Sequence, residues 1–131
     1  MEPIAAAMTG PVVSWEPHLS QELGISTGAN WKAGDRKPGT ADLAVTGTHP
    51  VTLGIPAKVR IFTTNGPEWS TVNADGVVGT ALATVSGNGN FVAVIATDDR
   101  VELPFAYSSQ SSLTEYGWLL FQNAVGWATT R

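Results

Sequence analysis

The residues best able to do chemistry in this sequence fall in three short runs. Trp15-Glu16-Pro17-His18 is the densest polar-aromatic cluster and stands at the end of an apolar run. In open α/β sheets, ligands favour the crevice beyond the carboxyl ends of strands. Glu16 and His18 are therefore placed to work as an acid/base pair or to hold a ligand. The competing role is structural, with Glu16 capping a following short helix and His18 on its solvent face. His49, the other histidine, precedes Pro50 in a turn. Together with Glu16, His18 and Asp98 it supplies nitrogen and oxygen ligands of the type metals take. No two of these residues have the close spacing of a His-x-x-x-His helix, so no metal is expected. Asp98-Asp99-Arg100 follows an apolar strand, where carboxylates suit a cation or a sugar, or form a polar turn with a local ion pair.

Several chemistries lack their residues altogether. The sequence has no cysteine, which removes thiolate metal sites, disulfides and a Cys nucleophile together. A Ser-His-acid hydrolase elbow needs Gly-x-Ser-x-Gly, and Val85-Ser86-Gly87 lacks the leading glycine. Gly87-x-Gly89 leads into a strand rather than opening a helix, the wrong context for a phosphate loop. No catalytic site and no cofactor are expected, with Glu16, His18 and Asp98 as the weak candidates. The tryptophans offer a different kind of site. Trp31 and Trp69 fall in polar segments, and Trp15 adjoins the Glu-Pro-His run. Exposed tryptophans stack on sugar rings or anchor protein interfaces, so these three are the expected contact residues, the alternative for Trp31 and Trp69 being to fold back as lids over the core of the domain. A carbohydrate is the small ligand they suit.

The elements that must position these residues can be read from pattern. Pro11 to Glu16 is an apolar run behind a Gly-Pro break and reads as a buried strand ended by Pro17. His18 to Leu23 suits a short helix stopped by Gly24. Residues 26 to 40 read as an exposed loop. Further strands are expected at Ala41 to Thr46, Lys58 to Thr63, Val77 to Val85, Phe91 to Thr97 and Val101 to Tyr107. Gly87-Asn88-Gly89-Asn90 marks a hairpin between two of them. Ser112-Leu113-Thr114-Glu115 fits a capping box for a closing helix, along which Tyr116, Leu119, Leu120, Asn123, Ala124 and Trp127 recur at helical spacing. Gly117 and Gly126 each cost that helix about 1 kcal/mol relative to Ala, which points to close approach against a sheet. Phe91 to Ala96 is apolar on both faces and needs cover on both sides. One firm helix leaves a layered α/β fold short of cover.

Composition sets the frame. The 131 residues fit one domain, and 43% apolar content supports one core. Only 14% of residues are charged, against about 25% in ordinary globular domains. Such a surface is either rich in Thr, Ser and Gly or buried in an assembly. The net charge is −4 without a basic block, so nucleic acid is not an expected partner. No apolar run approaches the roughly 18 residues of a membrane span. The composition suits an extracellular module of a larger exported protein, whose signal would lie outside these residues.

Ordered short motifs then resemble a family. Pro11-Val12-Val13-Ser14-Trp15-Glu16-Pro17 with Leu23-Gly24-Ile25, His49-Pro50 with Gly54-Ile55, Gly89 to Val94, and Leu113 to Ala128 resemble the class I glutamine amidotransferase-like superfamily. Within it they are most similar to the ThuA-like branch. The resemblance implies a flavodoxin-like layered sheet with a β-rich middle and a C-terminal helix. It also implies that strands and helices normally precede the Pro-Val-Val strand, so this chain corresponds to the C-terminal two-thirds of that fold. The family triad is Cys-His-Glu, and its cysteine is absent here. The implied function is a non-catalytic binding or assembly module, as a homo-oligomer or with a partner chain completing the sheet. The alternatives are a hydrolase or sugar-modifying enzyme using Glu16 and His18, and a self-assembling virion or filament subunit.

Overall fold

The computed structural model describes residues 9–15, 19–27, 31–32, 42–63, 69–105 and 112–131. They form a mixed α/β unit: an eight-stranded open sheet and a C-terminal helix. The strands are β1 (Val12–Ser14), β2 (Trp31–Lys32), β3 (Leu43–Val45), β4 (Lys58–Val59), β5 (Thr71–Asn73), β6 (Thr80–Val85), β7 (Asn88–Ala96) and β8 (Arg100–Glu102), and the helix α1 spans Glu115–Ala128. The sheet order is β1-β8-β7-β6-β3-β4, with β5 beside β7 and β2 beside β5. β1 runs parallel to β8, and every other pairing is antiparallel. A parallel pair needs a long crossover, and β1 and β8 are indeed separated by the whole middle of the chain.

The β6–β7 hairpin is the centre of the sheet, and it is tighter than the Gly-Asn repeat suggests. Val85 pairs with Asn88, so the turn is Ser86-Gly87, with Gly87 in the left-handed region at φ 84°. Gly89 and Asn90 belong to β7 instead of the turn. Register shifts along β6 mark bulges, which sharpen the local twist. Strands β2 and β5 carry no local strand pattern: Trp31 pairs with Val72 and Lys32 with Thr71, inside segments rich in polar residues. Pairing with a neighbour already in the sheet, not propensity, makes these strands.

Both faces of the sheet are covered, and among the described residues one long helix serves only one of them. One face carries the larger core, where Leu43, Ile61, Phe62, Leu82, Val94 and Leu103 pack under α1 through Leu120, Ala124 and Trp127. The other face is covered by a turn-rich segment: Leu23 and Ile25 pack on Val72, Val92 and Ile95. That segment is one helical turn, with Leu23 N–H donating to the Leu19 carbonyl and Gly24 reversing the chain at φ 75°.

Helix α1 begins two residues later than the expected capping box. Thr114, not Ser112, is the N-cap, its hydroxyl accepting from the Gly117 amide at 3.3 Å. The physical reason is tertiary. Leu113 bridges to Phe62, and the Thr114 N–H donates to the Ile61 carbonyl at 2.9 Å, so this stretch is held extended. The two helical glycines also differ. A Cβ on Gly117 would stand 2.6 Å from the Ile61 carbonyl oxygen, whereas Gly126 faces open space. Close approach explains the first glycine and not the second.

Candidate functional site

Two regions gather the polar and aromatic side chains. The first is the free side of β1. Among the described residues this strand pairs with β8 alone. Val12 N–H donates to Asp99 O, and Ser14 O accepts from Leu103 N–H at 2.7 Å. In a parallel ladder the residue between them turns its own N–H and C=O to the opposite side, so Val13 offers a donor and an acceptor along the open edge. Beside it, Trp15 meets Phe121 edge-on at 6.0 Å, and Phe121 meets Trp118 edge-on at 6.3 Å. Trp15 is 39% exposed and Trp118 43%. Val125, one turn beyond Phe121, is also exposed. α1 thus carries two apolar stripes: Leu120, Ala124 and Trp127 face the core, while Trp118, Phe121 and Val125 run towards the β1 edge.

A buried carboxylate lies at the carboxyl end of the same parallel pair. Glu102, 2% exposed, is in register with Ser14 on β1 and with Ile95 on β7. Residues in register share a sheet face, so Glu102 shares the face of Ile95, over which Leu23 and Ile25 pack. In the sequence Glu102 is one residue of an expected strand. Its signal was available: an acid inside the apolar run Val101-Glu102-Leu103-Pro104-Phe105.

The second region is a cleft of about 620 Å³ at the opposite end of the β1–β8 pair. His49, Trp127, Arg131, Thr80, Thr97 and Asp98 line it. His49 caps the 3-10 turn Pro50–Thr52, its Nδ1 accepting from the Val51 amide at 3.1 Å. With Nδ1 an acceptor, the proton of the neutral ring sits on Nε2. The imidazole meets Trp127 edge-on at 5.0 Å, and the Arg131 guanidinium lies 4.8 Å from the centroid of the same ring. Burial, and secondarily the Arg131 charge, push the imidazole below its ordinary pKa.

The expected site residues therefore separate. Asp98 lies where β7 turns into β8 and lines the same cleft as His49. The chain leaves β1 at Trp15, at the other end of the parallel pair, so the structure groups Asp98 with His49 and not with Trp15. Glu16 and His18 lie outside the described residues. Asp99 contacts Arg100 at 3.8 Å, the local ion pair of a polar turn. Trp69 is corrected outright. It is 0% exposed, edge-on to Phe62 at 5.4 Å, and belongs to the core, so it cannot contact a partner. Trp31 is placed by its backbone in a strand, not a loop. Trp15 does reach the surface. Among the described residues no three His, Asp or Glu side chains gather to hold a metal ion.

The chain matches no protein-family model, no curated protein and no solved structure. The ThuA-like resemblance rests on the sequence motifs alone.

Proposed function

We propose that the chain is a non-catalytic binding and assembly module, resembling a degenerate ThuA-like domain, that associates with a second copy of itself through the β1 edge. The observation that supports this reading is the aromatic stripe of Trp15, Phe121 and Trp118 beside an edge strand whose Val13 backbone groups point outward. Open edges are ready templates for strand pairing. With only three residues in β1, the side-chain stripe supplies most of the contact area. The low charge content of the surface is in keeping with a face buried in assembly. A flavodoxin-like layering draws support from the parallel β1–β8 pair and from α1 behind it, and the antiparallel remainder of the sheet weighs against it.

Size-exclusion chromatography with light scattering tests the proposal. A concentration-dependent dimer is expected, and Trp118→Glu shifts it to monomer without lowering the thermal midpoint of the monomer. A monomer at every accessible concentration overturns it.

A further inference from the structure

The cleft between Trp127 and Asp98 holds two opposite charges that do not meet. Among the described residues neither the Asp98 carboxylate nor the terminal guanidinium nitrogens of Arg131 take part in a hydrogen bond or ion pair. Arg131 is nevertheless held in place. Its Nε donates to the Trp127 carbonyl at 3.4 Å and its guanidinium stacks over the indole of the same residue. The neighbouring His49 is fixed too, because its Nδ1 is committed to the Val51 amide. Its remaining ring nitrogen is a donor.

The cleft therefore presents clustered donors, from Arg131 and His49, and an anionic acceptor apart from them, from Asp98. The cleft also has an apolar lining. Val78 is 59% exposed and lines the same cleft. The volume, about 620 Å³, lies in the range that holds small ligands. Two charges of opposite sign across one cleft, each with free hydrogen-bonding capacity, complement a ligand that carries both charges itself.

We propose that this cleft binds a small zwitterion, an amino acid or short peptide, with its carboxylate on Arg131 and His49 and its ammonium group on Asp98. Each end forms a charge-assisted hydrogen bond, stronger than one between neutral groups. The ligand side chain covers Val78. A neutral sugar would use the same hydroxyl-compatible atoms but would gain nothing from the two opposite charges. The site is independent of the β1 edge, so either proposal can fail without the other.

Isothermal titration against L-phenylalanine and alanyl-alanine, each with its N-acetyl and its amide derivative, tests this. At least one parent zwitterion is expected to bind, with blocking of either charge weakening it about tenfold, the scale of one charged hydrogen bond. Asp98→Asn should abolish the preference for the free amine and keep that for the free carboxylate. Arg131→Gln should do the reverse. Both changes are at solvent-facing side-chain ends, and circular dichroism confirms that the fold is retained. Absence of binding by all zwitterions at millimolar concentration overturns the proposal. So does binding that ignores both variants, or tighter binding of a neutral methyl glycoside.

Discussion

Gly117 lies directly against the carbonyl of Ile61: a Cβ there would stand 2.6 Å from the oxygen. The contact fixes where α1 enters the fold, since the same Ile61 carbonyl accepts the Thr114 amide at 2.9 Å. Gly117→Ala should destabilise the protein by about 1–3 kcal/mol, because overpacking outweighs the gain in helix propensity. Gly126→Ala, in the same helix but facing open space, should stabilise by up to about 1 kcal/mol. Urea denaturation of the two variants gives shifts of opposite sign. Equal signs would mean that the close approach at Ile61 is not felt.

Stability should depend on pH through His49. Its pKa is lowered in the folded protein from 6.5, by burial first and then by Arg131. The unfolded chain therefore binds the proton more readily. The stabilisation of the neutral ring is complete above about 6.5 and is lost as pH falls from there towards the lower folded value. His49→Asn keeps an acceptor for the Val51 amide and removes the titration. The urea midpoint of this variant should vary less between pH 7.5 and pH 5 than that of the parent, by roughly the slope that one shifted group contributes. An unchanged profile would remove His49 as the source.

Asn123 ties α1 to the turn that His49 caps. Its amide donates to Val51 O at 3.1 Å and to Leu53 O at 2.8 Å. Asn123→Ala should cost about 1–2 kcal/mol, from two carbonyls losing a shared donor. Asn123→Asp should cost more, since a carboxylate cannot donate to either carbonyl. Differential scanning calorimetry resolves the order.

Trp69 and the surface tryptophans should be optically distinct. Trp69 is fully buried, and its indole N–H has no acceptor among the described residues. Trp15 and Trp118 are open to solvent. Iodide should quench the Trp15 and Trp118 emission and leave a blue-shifted component from the buried Trp69 and Trp127, which Trp69→Phe diminishes. Trp69→Ala should cost about 3–5 kcal/mol, the range for emptying a large aromatic site.

Elements with strong local signals are legible in the residues alone. The β6–β7 hairpin and helix α1 were legible because β-branched alternation, a Gly turn and helical spacing are properties of adjacent residues. The inward face of α1 was legible for the same reason, with Leu120, Ala124 and Trp127 at one periodicity and Trp118 off it. The absence of a Cys nucleophile needed no structure at all. The remaining features depend on contacts between distant segments. Short strands such as β2 and β5 exist because a paired neighbour satisfies their backbone, which no local pattern encodes. The helix start moved from Ser112 to Thr114 because Ile61 and Phe62 hold the preceding residues. Trp69, set in polar surroundings along the chain, is core because the fold folds its segment inward against Phe62. The cleft joins His49, Asp98 and Arg131 across most of the sequence. Distance along the chain says nothing about such a meeting, because it is the packing of the end of α1 and the Pro50–Thr52 turn beside the β7–β8 turn that brings those side chains together.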